Sequence, residues 1–519
     1  MKKIFILLLI LVLGLVGCTP KEPNLEDDID QAAIDTVMMY INLLPSSLTE
    51  KERDDVLVIT TLIEGLSEAE VALIENIEIY NNAITYYQGI DDRNVAREEL
   101  FIELEAEIRE LIPESISDNI ELPTTYQTDI GEVFVLWGSS DYNTFSNKGV
   151  VTQGRETITI ELITTLIHDD IRHSFKHNVD IEPIVMDPLP DKGLSVAYMT
   201  IRSSFTDFNE LQSKTIDVVN YSFAQIVNGE ISIIALGNLE NLMQQRKKGI
   251  RILFSVGPYE DQFIGPASTA AGRTKLVDSL VNAVVKYHFD GVDIDWETPT
   301  TATKNDYTLM MEELHDKLKA INEDYLLTAA THSFSLNGYD FARLNQIMDF
   351  YNVMTYDLNA RGQVTHNSAL YMSNNVAGSY SGENSINSYI SRGADKSKLV
   401  LGSAFYGKQY TLANPSGPII GRSVAASSVT NMGFDTINLT LISRIGNGVT
   451  RHWDNTAKSP YLHDATNGTV TVYEDAEAIM HKANFIIDND LKGIMYWQLN
   501  QDYNGVLLQA IYDYLVSKR

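Results

Sequence analysis

Three carboxylates recur at every second position in the stretch FDGVDIDWETP, residues 289–299: Asp293, Asp295 and Glu297. Val292, Ile294 and Trp296 fill the alternate positions, so the run reads as a strand with one acidic and one apolar face. Burying charge costs free energy unless the charge is paired or used. Adjacent carboxylates cannot all ionise cheaply, because like charges push at least one pKa up. A proton shared between Asp293 and Asp295, or between Asp295 and Glu297, lowers that cost. It also keeps Glu297 protonated near neutral pH, the state a general acid needs. The D-x-D-x-E spacing resembles part of a calcium loop as well. Such a loop requires a turn glycine and a distant bidentate Glu, whereas this run is strand-like.

The surrounding elements say where such a strand would sit. From Leu194 onward apolar strands alternate with helical runs: LSVAYMTI, TIDVVNYSFA, IRILFSVG, FDGVDIDWE, YLLTAATHS, FYNVMTY, KLVLGSAFYG and KGIMYWQLN. Amphipathic segments such as Thr274 to Tyr287 and Asp306 to Ile321 separate them. Eight such units predict an α/β fold, a (β/α)8 TIM barrel over residues 190–519. The gap between the last two strands is too long for one helix, so residues 408–472 are expected to form a small α+β insertion. The acidic run is then the fourth strand. Its charged face points into the barrel and Glu297 lies nearest the mouth, where barrel enzymes do their chemistry.

Residues Asp290 to Glu297 resemble the D-G-x-D-x-D-W-E signature of glycoside hydrolase family 18, the chitinase family. Met354-Thr355-Tyr356-Asp357 is similar to that family's M-x-Y-D. NYSFA, LGSAFYGK and GIMYWQLNQD resemble its second, seventh and eighth strands, with Lys408 where Arg is usual. THNSALY resembles the loop after strand six, and SPYLHD and VYEDAEAI resemble its insertion and the following helix. The resemblance runs from about Lys192 to Lys518. Two positions depart from it: Pro258 stands where a second glycine is usual after strand three, and Thr298 where an aromatic often follows the acid.

The resemblance implies retaining hydrolysis in which the substrate's own acetamide attacks, an exception to the two-carboxylate scheme of most glycosidases. Glu297 would be the acid and base. Asp295 would hold the acetamide N–H and stabilise the oxazolinium ion, and Asp293 would share a proton with Asp295. Tyr356 would hold the acetamide carbonyl. Asp357, Trp497, Tyr221, Phe223, Met354 and Tyr406 would line the substrate site. No cofactor and no metal are implied. The partner would be an N-acetylglucosamine-containing polysaccharide or glycan. Chitin and chito-oligosaccharides lead, with peptidoglycan or N-glycans as alternatives. A carbohydrate-binding protein without catalysis would be expected to lack Glu297, which is present.

Residues 1–17 read as a signal peptide: Lys2 and Lys3 precede a short apolar run. Leu15-Val16-Gly17-Cys18 resembles a bacterial lipobox, and Cys18 is the only cysteine. Lipidation of Cys18 would give a membrane-anchored lipoprotein at a bacterial cell surface, with residues 18–28 as the tether. An ordinary secretory signal with an incidental Cys is the alternative. Residues 29–115 are expected to be a helical bundle, with S/T-x-x-E capping boxes at Thr49/Glu52 and Ser67/Glu70. Residues 120–184 alternate with period two and resemble an immunoglobulin-like module, a short β-sandwich. Trp137 or Tyr142 would be its sugar contacts, or Trp137 a core residue of a spacer. A formal net charge of −31 argues against nucleic acid as a partner.

Overall fold

The computed structural model describes residues 29–200, 205–233, 239–358, 362–376, 378–412, 419–424 and 429–519. The expected signal peptide, tether and Cys18 lie outside the described residues. The chain divides into two units, residues 1–108 with 127–132, and residues 109–126 with 133–519.

The first unit is helical, with helices at Gln31–Asn42, Arg53–Glu64 and Glu68–Val71 and the start of the long helix Ile77–Leu111. Both capping boxes form: the Glu52 and Glu70 carboxylates accept from the backbone N–H of Thr49 and Ser67 at 2.8 Å. Ile34, Val37, Ile41, Ile59 and Ile74 make its core, the apolar face that the helical period requires.

In the second unit, strands between Ser115 and Ile181 pair as one five-stranded sheet. The expected sandwich would have two. Period-two alternation reports one buried face per strand, and that face is present as Val133, Val135 and Trp137 beside Ile160, Leu162 and Leu166. Alternation does not say whether a second sheet or another element covers it. Trp137 is a core residue, its indole N–H donating to the Pro123 carbonyl at 2.8 Å. Tyr142 is exposed.

The rest of the unit is a closed parallel barrel. Its strands are β1 (Leu194–Thr200), β2 (Val218–Val227), β3 (Arg251–Val256), β4 (Gly291–Ile294), β5 (Leu326–His332), β6 (Phe350–Met354), β7 (Leu399–Ala404) and β8 (Gly493–Trp497). Each pairs with its sequence neighbour, and β1 closes the ring by pairing with both β2 and β8. Period-two geometry sorts the side chains. Tyr198, Val218, Leu253, Ala330, Phe350, Val400 and Met495 pack inside. Val292, Ile294 and Trp296 pack outward with the surrounding helices, against Leu276, Val277 and Leu280 among others. Between β7 and β8 the chain forms the insertion: a five-stranded antiparallel sheet between Tyr406 and Val472, with the helix Phe434–Thr440.

Candidate active site

The acidic face of β4 enters the barrel as its alternation requires, and its three carboxylates meet different surroundings. Asp293 is fully buried and accepts four side-chain hydrogen bonds. Tyr198 and Ser255 donate to Oδ2 at 2.8 and 2.7 Å, and Thr328 and Asn352 donate to Oδ1 at 2.6 and 3.2 Å. These donors come from β1, β3, β5 and β6. Burial pushes the Asp293 carboxyl up, and the four donors oppose it.

Asp295 is 3% exposed, and its Oδ1 has no hydrogen-bond partner. Burial first, then the charges of Glu297 and Asp293, push its carboxyl well above the usual range. Glu297 opens into a cleft of about 470 Å³ at the barrel mouth. Its carboxyl is raised by desolvation against the cleft walls and then by the charge of Asp357.

The loop after β3 packs directly on this strand. A Cβ on Gly257 would lie 2.0 Å from the Asp295 carbonyl oxygen, so only glycine fits there. The carbonyl of the next residue, Pro258, accepts the Glu297 backbone N–H at 3.1 Å. The departure from the family pattern thus touches the acid's own backbone.

The opposite wall comes from the ends of β6 and β7. Tyr356, Asp357 and Met354 line the cleft with Glu297, as do Phe334 and Tyr380. Asp357 stands at a positive φ of 57°. Its Oδ1 accepts from Tyr406 Oη at 2.6 Å and pairs with Lys408 Nζ at 2.7 Å. Burial raises the hydroxyls of Tyr356 and Tyr406 well above their ordinary values, so both remain donors. Trp497 ends β8, half-buried, with Phe223 stacked on it at 5.4 Å and Tyr198 at 5.8 Å. Tyr221 is not brought to this site. It pairs in register with Met199 and Phe254, and all three belong to the outer layer under the helices. On β2 the inward positions are Val218 and Asn220, and alternation turns Tyr221 away.

A buried ion pair holds this wall, and nothing in the motif spacing marked it. Lys482, on the helix Ala476–Asp488, pairs with Glu474; both are almost wholly buried. Lys482 also donates to Ser368 Oγ at 2.6 Å and to the Gly402 carbonyl at 2.8 Å. Ser368 in turn donates to the carbonyl of Thr355, the residue before Tyr356, at 2.7 Å. Glu474 accepts from Ser403 Oγ and the Ala404 N–H. The pair thereby ties the ends of β6 and β7 just before Tyr356 and Tyr406. A signal was available: Lys482 falls on the apolar stripe Ala478, Ile479, Ala483 and Ile486 of its helix, where an unpaired ammonium would be costly.

The family model for Glycosyl hydrolases family 18 matches residues 195–502, which run from the second residue of β1 through β8 and include every residue of this site. The chain belongs to that family. Among its curated relatives, chitinase A1 of Niallia circulans is 32% identical over 309 residues, covering 52% of this chain and 44% of that protein. Chitinase B of Serratia marcescens is 27% identical over 341 residues, covering 52% of this chain and 68% of that protein. The chain thus spans less than half the length of chitinase A1. A solved family 18 N-acetylglucosaminidase from Paenibacillus barengoltzii superposes with a TM-score of 0.57 at 28% identity, covering 62% of this chain and all of that one.

Proposed function

We propose that this family 18 protein hydrolyses β-1,4 bonds next to N-acetylglucosamine, with chitin or chito-oligosaccharides as substrate and the substrate's acetamide as nucleophile. The observation that carries the reading is Asp295: a buried carboxyl with an unsatisfied oxygen, pushed toward its neutral form, beside an acid that opens into a cleft. A second catalytic carboxylate acting as nucleophile would need to be ionised and exposed to the sugar. Asp295 suits a different task, accepting the acetamide N–H and orienting that group.

Glu297, held protonated, gives its proton to the glycosidic oxygen as the C–O bond breaks. The acetamide carbonyl oxygen bonds to the anomeric carbon, forming an oxazolinium ion. Its positive charge develops near Asp293 and Asp295, and the negative charge that this pair carries between its two carboxyls offsets it. Tyr356 donates to the acetamide oxygen and positions it. Trp497 supplies the apolar floor under the ring, and Asp357, held by Tyr406 and Lys408, faces the sugar hydroxyls. Glu297, now a carboxylate, takes a proton from water, whose oxygen adds to the anomeric carbon and opens the oxazolinium ring. Two displacements retain the anomeric configuration.

Full-length protein incubated with chito-oligosaccharides, muropeptides and a high-mannose glycopeptide, with products read by mass spectrometry, tests the substrate. Cleavage of the chitin series is expected. Cleavage of only muropeptides or the glycopeptide would keep the chemistry and move the substrate to peptidoglycan or N-glycans. Binding without cleavage of any would favour a carbohydrate-binding protein. We further propose that the protein is a bacterial cell-surface lipoprotein anchored through Cys18, a reading supported by the lipobox-like sequence. Cys18→Ser is expected to release it from the membrane fraction, and continued membrane fractionation would contradict this.

A further inference from the structure

The first carboxylate of the signature, Asp290, does not point at the cleft. It sits fully buried just ahead of β4, at the end of the barrel opposite the mouth, between two guanidinium groups. Arg246, from the segment before β3, donates to it through Nε and Nη2 at 3.0 Å. Arg155 donates through Nη2 at 2.7 Å. Arg155 lies in the loop that leads into the sheet strand Ile158–His168, forty residues ahead of the family match, which begins at residue 195. The two charges therefore arrive from two different modules onto one buried carboxylate.

The same carboxylate fixes strand register. Its Oδ2 accepts the Ile252 N–H at 2.9 Å, its backbone N–H donates to the Ile252 carbonyl at 2.7 Å, and its carbonyl accepts the Leu326 N–H at 2.9 Å. Asp290 is thus the point at which β4 is set between β3 and β5. Three more polar contacts cross between the same two modules. Arg246 Nη1 donates to the Gln153 carbonyl, Gln244 to the Val151 carbonyl at 2.9 Å, and Thr144 Oγ1 lies 2.8 Å from His288 Nε2. Buried polar groups matched this closely specify one docking geometry. A mobile sugar-binding arm would have no use for them, and Trp137, the sheet's large aromatic, is occupied in its core.

We infer that the five-stranded sheet is a fixed brace of the barrel floor, and that its Arg155 is a positioning residue that acts through Asp290 to hold β4 and the carboxylates it carries. A strand bonded on both edges passes a shift along its length. A misplacement on the order of 1 Å at a reacting group costs up to about a hundredfold in rate. The catalytic consequence rests on the proposed hydrolysis at Glu297; the docking does not.

The test uses the full chain. Arg155→Met is expected to lower kcat on a chito-oligosaccharide about tenfold with KM within about twofold, and Arg155→Lys to regain most of the loss. Hydrogen exchange read by mass spectrometry should show faster exchange at residues 250–256 and 289–297 in Arg155→Met, and none at residues 476–488. In the wild-type protein, rising urea should strip protection from residues 158–181 and 289–297 in one step. Wild-type kcat in a folded Arg155→Met overturns the positioning role, even if its thermal stability falls. A sheet that opens at lower urea than β4 overturns the brace, and this arm decides the matter if Arg155→Met does not fold. A wild-type chain that hydrolyses nothing sinks the proposed hydrolysis and leaves the exchange measurements to judge the brace.

Discussion

Asp293 accepts four side-chain hydrogen bonds, whereas Asp295, two residues along the same strand face, keeps a buried oxygen with no partner. The contrast assigns their tasks. Asp293 is locked into the barrel by its donors, whereas burial, and then the charges of Glu297 and Asp293, push the Asp295 carboxyl up. Asp295 has the free oxygen and therefore the capacity to receive a group from substrate.

Asp293→Asn tests the first half of that division. The amide turns two N–H donors toward a site already lined with donors, so at least two hydrogen bonds to a charged acceptor are lost. A loss of about 2–4 kcal/mol in urea unfolding is expected. A variant as stable as wild type would mean that the four donors do not depend on the charge.

The pH profile tests the coupling of Glu297 to Asp357. The acid step needs protonated Glu297, so kcat/KM falls on the alkaline side as Glu297 ionises. The charge of Asp357 helps hold that pKa up. Asp357→Asn is therefore expected to move the alkaline limb to lower pH, whatever it does to the absolute rate. Lys408→Met, which leaves Asp357 without its ammonium at 2.7 Å, is expected to move the limb the other way. A limb that stays in place in both variants would remove Asp357 from the control of the acid.

Lys482→Met leaves Glu474 buried and unpaired, which is expected to cost about 3–5 kcal/mol. The double variant Lys482→Met/Glu474→Gln removes the stranded charge and should recover much of that stability in urea unfolding. It still lacks the ammonium that bonds Ser368, so kcat should remain below wild type. A double variant with wild-type kcat would show that the pair stabilises the fold without positioning Tyr356.

His288 links stability to pH. Burial, and then Arg246, depress its pKa from the usual 6.5 to about 4. The unfolded chain therefore binds the extra proton first. Its contribution is complete above about pH 6.5 and is lost as pH falls toward 4, up to about 3 kcal/mol. His288 sits at a positive φ of 60°, which Asn tolerates. His288→Asn should lose less stability than wild type between pH 7 and 4.5 in denaturant titrations. An identical loss in both would place the acid sensitivity elsewhere.

The barrel was legible because its strands are apolar runs of standard length separated by amphipathic helices. The insertion was legible because the last two strands lie too far apart. The acidic triad was legible because period two puts Asp293, Asp295 and Glu297 on one face. What the sequence hid was contact between distant strands. The donors to Asp293 come from Tyr198, Ser255, Thr328 and Asn352, and no local pattern announces that four strands converge on one carboxylate. The misplacement of Tyr221 has a related cause: the NYSFA resemblance supplies residue types, while the face each occupies follows from register with β1 and β3. Alternation predicts a sandwich where residues 115–181 form a single sheet, because it is blind to what covers the buried face.

The most direct test of substrate-assisted hydrolysis compares N-acetylated and N-deacetylated oligosaccharides of equal length, with the full-length protein and its Glu297→Gln variant, products read by mass spectrometry. The expected result is cleavage of the acetylated series alone by the wild type, and binding without cleavage by Glu297→Gln. Equal cleavage of the deacetylated series, or wild-type turnover by Glu297→Gln, would contradict the roles of Asp295 as acetamide acceptor and Glu297 as acid and base.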